Sequence, residues 1–174
     1  MVDTVACLLH WLDPRNEQHT HQFKLSENRK GGVTDHELVL SWDIHKLAAH
    51  DPRLLTDLGR FRQGKTVTGE DQTKYAAYGL AFVAISYLLQ RRVVRVSHFR
   101  TPDLLLDSTP GALRGVEVAG RSSKGHAAFA QALDGASGKP GKRAQLRACA
   151  DVQEAYISLW CCEPKVSIWE KVKP

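Results

Sequence analysis

Asp103, directly after Pro102, and Glu117, between Val116 and Val118, are the side chains of this sequence best suited to chemistry. Residues 102–107 (Pro-Asp-Leu-Leu-Leu-Asp) read as a short strand closed by the turn formers Ser108-Thr109-Pro110-Gly111. Leu113 to Ala119 reads as the next strand, with Val116 and Val118 on one face and Glu117 and Ala119 on the other. Such a hairpin makes Asp103 and Glu117 neighbours. Two carboxylates in a small space repel each other, and a divalent cation relieves the repulsion. Oxygen ligands with little else nearby suit Mg²⁺ or Mn²⁺ better than Zn²⁺. A plainer reading stays open for each: Glu117 as an outward carboxylate on a half-exposed strand, Asp103 as a turn residue.

The elements around this pair are legible in outline. Thr68 can cap a helix, with Asp71 three residues on, and Tyr78, Phe82, Ile85 and Leu89 recur at helical spacing up to Gln90. The β-branched run from Arg92 to His98 reads as a strand ahead of the hairpin. After a Gly/Ser/Lys-rich stretch with a helical turn at His126–Leu133, Lys142 to Val152 reads as a helix with Leu146, Cys149 and Ala150 inward. Ala155–Cys162 and Val166–Val172 read as strands joined at Glu163-Pro164-Lys165. From residue 68 the order is helix, three strands, helix, two strands, which predicts a mixed α+β (α/β) core at 68–174. Residues 1–67 read as a β-rich N-terminal extension packed into the same compact unit. Val5–Leu12, His21–Leu25 and Glu37–Trp42 are its strands, and Ile44–Leu58 is broken into short helical turns at Pro52.

Composition narrows the function classes. The chain has 174 residues, 43% hydrophobic and 25% charged, an ordinary globular balance. The longest apolar stretch, Tyr75 to Leu89, contains Gly79 and Ser86 and is too short to span a bilayer. The start of the chain lacks the pattern of a signal peptide, and the four cysteines fall at no disulfide or zinc spacing. These features predict a cytoplasmic protein with reduced thiols and no membrane association. Net charge is +5, unevenly spread: residues 91–147 hold eleven basic side chains against four acidic ones, a local +7. Such a field favours a polyanionic partner, nucleic acid first.

Pro102-Asp103 and Glu117-Val118-Ala119, set in this order of elements, resemble the PD-(D/E)xK nuclease superfamily, the restriction-endonuclease-like fold. The resemblance covers roughly residues 68–172. It implies that Asp103 and Glu117 hold Mg²⁺ or Mn²⁺, with the Val118 carbonyl as a third ligand. Glu70 is either a further acidic ligand, as in some relatives, or a complement to the helix dipole. The implied reaction is hydrolysis of a phosphodiester in nucleic acid, DNA before RNA, by a metal-activated water. The family's lysine, two residues after the glutamate, is here Ala119. Arg121 on the same strand face, Lys124 in the loop beyond, and Lys142 or Arg143 on the next helix are the candidates to replace it. Arg100, Arg121, Lys124, Lys142 and Arg143 are the candidate phosphate contacts. The N-terminal extension would shape the substrate channel or dock a partner, a second copy of the chain included.

Two other functions stay open on the same residues. The missing lysine is compatible with a degenerate nuclease fold that binds nucleic acid or protein without cleaving. A small interaction module meeting an acidic protein through its basic middle is the third. His19 and His21 share a strand face and offer a transition-metal pair, and His98 is placed to stack or act as a base. Ser122-Ser123 lacks the frame of a hydrolase serine, and the glycines from Gly59 to Gly69 do not match a phosphate-binding loop.

Overall fold

A computed structural model describes residues 4–15, 19–64, 67–97, 101–107, 109, 111–136 and 138–174. Arg100 and His98 lie outside the described residues. The fold is mixed α+β, as expected. Its centre is a seven-stranded sheet in the order β2-β1-β9-β8-β5-β4-β3. The strands are β1 (Thr20–Arg29), β2 (Gly32–Ser41), β3 (Arg95–Val96), β4 (Leu104–Asp107), β5 (Leu113–Arg121), β8 (Val152–Cys161) and β9 (Val166–Lys173). A small separate hairpin holds β6 (Gly135–Ala136) and β7 (Lys139–Pro140). β3, β4 and β5 form an antiparallel meander, and β5 then runs parallel to β8.

Helices cover both faces. On one side lies α4 (Gly69–Leu89), packed in turn against α1 (Thr4–Leu12); α2 (Ile44–His50) and α3 (Arg53–Arg62) close over α1. Opposite sit α5 (Gly125–Asp134) and α6 (Lys142–Ala148), sealing Phe129, Leu133 and Leu146 over Ile157 and Leu159. α4 begins where the sequence says it should. The Thr68 hydroxyl accepts the Asp71 N–H at 3.1 Å and donates to the Asp71 carboxylate at 2.9 Å, satisfying one of the unpaired amides of a helix start.

Four expectations are corrected. The helix expected at Lys142–Val152 stops at Ala148, because Val152 already opens β8, and Ala150 is exposed rather than inward. Val5–Leu12 is the helix α1, not a strand: Ala6, Cys7, Leu9, Trp11 and Leu12 are all buried between α4 and the α2–α3 pair. A short run buried on several sides loses the period that would mark it helical. Residues 1–67 are therefore not simply β-rich. Their two strands are not an appendage either, because β1 pairs in parallel with β9 within the main sheet. Finally, the strand expected at Arg92–His98 shrinks to Arg95–Val96. Its neighbour β4 offers few residues to pair with, although the Val94 and Ser97 amides still reach the Leu105 and Asp103 carbonyls.

Two glycines of β5 permit the close approaches on which this geometry rests. At Gly115 an added Cβ would overlap the Pro102 ring and lie 2.5 Å from the Leu104 carbonyl oxygen; at Gly120 it would lie 2.6 Å from the Thr73 carbonyl oxygen of α4. So β5 is pressed by the Pro102 segment at one glycine and by α4 at the other. Gly115→Ala should therefore lower stability by about 1–3 kcal/mol through overpacking. Gly59→Ala, at a helical position with nothing within 4 Å, should raise it by about 0.5–1 kcal/mol. Urea midpoints of the two variants, moving in opposite directions from that of the parent chain, check both.

Candidate functional site

Register sets Asp103 and Glu117 opposite each other. Leu104 pairs with Val116 and Leu105 with Gly115 in the antiparallel β4–β5 ladder, so continuing the ladder one step sets Asp103 opposite Glu117. The Asp103 carboxylate is held at both oxygens: Oδ2 accepts the Val118 backbone N–H at 2.8 Å, and Oδ1 accepts the Tyr78 hydroxyl of α4 at 3.0 Å. Its own carbonyl accepts the Ser97 N–H at 2.6 Å.

Glu117 is 5% exposed, on a strand whose neighbours Val116 and Val118 are buried against the α4 side. Its Oε1 accepts a hydrogen bond from Lys142 Nζ at 2.5 Å. Oε2 is buried without a hydrogen-bond partner among the described residues. Burial pushes the Glu117 carboxyl above its ordinary range. The Lys142 charge pulls it back down, and the negative charge of Asp103 adds to the rise. Lys142 is the first residue of α6, and Leu146, one turn further on, is fully buried and anchors the helix.

Above this pair opens a cleft of about 660 Å³. Asp103, Val118, Arg121 and Lys142 line it, and Glu70 and Lys74 reach it from the first turns of α4. Five of the candidate residues thus share one cleft, with Glu117 buried beneath Lys142. Lys124 is exposed in the loop before α5 and is not among the cleft-lining residues. Arg143 faces elsewhere: its guanidinium donates to both oxygens of Glu170, at 2.7 and 2.6 Å, and to Asp134 at 2.5 Å. It braces α6 against β9 and α5, and the structure does not bring it to the cleft.

The histidine pair does not form, since His19 is exposed while His21 is buried and stacked on Trp42 with ring centres 5.3 Å apart. Among the described residues no group of three or more His, Cys, Asp or Glu side chains is placed to hold a metal ion. Tyr78 and Lys74 are the cleft residues that the sequence pattern conceals. Tyr78 falls on the apolar stripe of α4, and its one sequence signal is a hydroxyl where a Phe or Leu would serve the core equally well. No protein-family model, curated protein or solved structure matches the chain. No helix among the described residues is long and apolar enough to cross a membrane.

The raised Glu117 carboxyl has a consequence for stability. From the ordinary glutamate range up to its own raised value, the folded chain holds a proton that the unfolded chain has released. Stability therefore falls as pH rises through that window and is level above it. Glu117→Gln removes this dependence. Its stability relative to the parent should improve with pH from about pH 4 upward and then plateau, as followed by urea unfolding across pH. A parent chain that instead gains on the variant as pH rises would mean that Lys142 outweighs burial.

Proposed function

We propose that this chain is a metal-dependent nuclease of the PD-(D/E)xK type, hydrolysing phosphodiester bonds in DNA in preference to RNA. One observation carries the reading. Lys142 enters from α6, meets Glu117 and lines the same cleft as Ala119, beside Glu117, which the continued register sets opposite Asp103. The succession α4-β3-β4-β5-α5/α6-β8, with β5 parallel to β8, supports it.

The donor set fits a small divalent cation. Glu117 Oε2 is buried with no hydrogen-bond partner among the described residues, and the Asp103 oxygens each keep acceptor capacity beyond the single hydrogen bond they receive. Asp103, Glu117 and Lys142 together sum to one negative charge, which a dication converts to one positive charge facing a phosphodiester. Mg²⁺ and Mn²⁺ take oxygen ligands, and Mg²⁺ needs only one or two protein carboxylates, with water and substrate completing the shell. Asp103 and Glu117 would hold the ion; when bound, it supplies an activated water and charge stabilisation at phosphorus.

The chain's own groups do the rest. Val118 N–H and Tyr78 fix Asp103. Lys142 Nζ holds Glu117 and faces the cleft, where it can donate to the phosphoryl oxygen on which charge develops. A water oxygen bonds to phosphorus and gives up a proton to solvent, the bond from phosphorus to the sugar oxygen breaks with its electron pair going to that oxygen, and the sugar oxygen takes up a proton from solvent. Arg121 and Lys74, on the cleft wall, are placed for the phosphates on either side.

The basic middle of the chain contributes less than its count suggests. Arg91 and Arg114 pair with Glu154, and Arg143 with Glu170 and Asp134. With few cleft cations left, a shallow salt dependence is expected, log affinity falling by about 0.9 per log salt for each phosphate neutralised on duplex DNA.

Plasmid, single-stranded DNA and RNA incubated with the protein and millimolar Mg²⁺ or Mn²⁺ test the reading. The parent should cleave DNA, Asp103→Asn should not, and Lys142→Met should be slowed by about 100-fold or more. Arg121→Glu should weaken binding to all sequences alike and flatten the salt slope. Salt-sensitive binding with no cleavage under either metal would leave a non-cleaving nucleic-acid-binding fold. No binding at low salt would remove both readings.

A further inference from the structure

We infer that Tyr78 is a positioning residue of the cleft: its hydroxyl locks the Asp103 carboxylate into the orientation in which it binds a divalent cation. The inference rests on the metal-binding reading of Asp103 and Glu117 and adds the group that prepares the site for the ion.

Tyr78 is 2% exposed in the middle of α4, flanked on the same helix by the buried Ala77, Leu80 and Ala81. A phenylalanine would fill that space equally well, so the hydroxyl has no packing role. Buried, it needs a hydrogen-bond partner, and the one it has is Asp103 Oδ1 at 3.0 Å. With the Val118 amide on Oδ2, the carboxylate is gripped at both ends from two different elements, the sheet and α4. Neither donor can be replaced by a rotation of Asp103 without breaking the other bond.

Tyr78 also forms part of the cleft lining. Its ring edge meets Tyr75, and Lys74 Nζ lies 5.9 Å from its ring centre. The same ring therefore ties a cleft-wall cation to the carboxylate. Groups that orient a metal ligand from behind commonly govern metal affinity by about 10–100-fold.

A second buried tyrosine supplies the control. Tyr156, 6% exposed on β8, donates its hydroxyl to Glu154 at 2.5 Å, and neither residue lines the cleft. Tyr78→Phe and Tyr156→Phe each remove one buried phenol–carboxylate hydrogen bond and preserve the ring. Mn²⁺ binding to the full chain without nucleic acid, read by electron paramagnetic resonance of the free ion and by the rise in melting temperature, compares them with the parent.

Tyr78→Phe should bind Mn²⁺ at least tenfold more weakly than the parent while melting cooperatively without metal. Tyr156→Phe should bind it like the parent. If Tyr78→Phe binds Mn²⁺ as the parent does, the positioning role is overturned and the metal reading stands. If both variants lose affinity equally, the effect is general loosening and the role is again overturned. A parent that binds no Mn²⁺ overturns the metal reading and this inference with it.

Discussion

The structure is organised around one costly placement, a carboxylate at the centre of a strand that is otherwise a core strand. Glu117 stands between Val116 and Val118 with both valines buried, and taking a charge out of water into such surroundings costs several kcal/mol unless it is paired or neutralised. The fold answers with the Lys142 ammonium on one oxygen and, among the described residues, gives the second no hydrogen-bond partner. A purely structural ion pair would be better served by satisfying both oxygens, as the Arg143 guanidinium does for Glu170 nearby. The contrast between these two pairs, on adjacent residues of α6, is what the proposed role of Glu117 rests on.

The surrounding elements follow from setting that residue opposite Asp103. Gly115 lets Pro102 lie against β5, which fixes where the chain enters β4 and so where Asp103 stands. Gly120 lets α4 press on β5 at Thr73, placing Tyr78 about 1.4 helical turns further along, beside Asp103. The parallel β5–β8 pairing requires a crossover. That crossover, built of α5, the β6–β7 hairpin and α6, delivers Lys142 to the far side of the same glutamate. The cleft is thus assembled from three separate stretches of chain, each constrained by close packing.

Much of this was legible in the sequence, and what escaped did so for identifiable reasons. The strands β5, β8 and β9 show in their β-branched alternation, β4 in its short apolar run closed by turn residues, and α4 in its Thr68 cap and helical spacing. The acidic pair followed from hairpin logic alone. α1 was misread because burial on several sides erases the periodic signature of a helix. Lys142 and Arg143 are indistinguishable as neighbouring basic residues at a helix start, yet successive side chains of a helix diverge by about 100°, so one meets Glu117 and the other Glu170. The +7 segment overstated the free basic surface because Glu154 and Glu170, which neutralise part of it, come from the acidic flank and only folding brings them across. Tyr78 was hidden by its own good fit to the apolar stripe.

Anomalous diffraction from crystals soaked in millimolar Mn²⁺ decides whether Asp103 and Glu117 form the proposed cation site. A shared site gives a manganese peak within direct coordination distance of an oxygen from each carboxylate, with Lys142 still beside Glu117. Crystals that take up Mn²⁺ only elsewhere, or show no peak at the cleft while Glu117 Oε2 remains enclosed by protein, would contradict it.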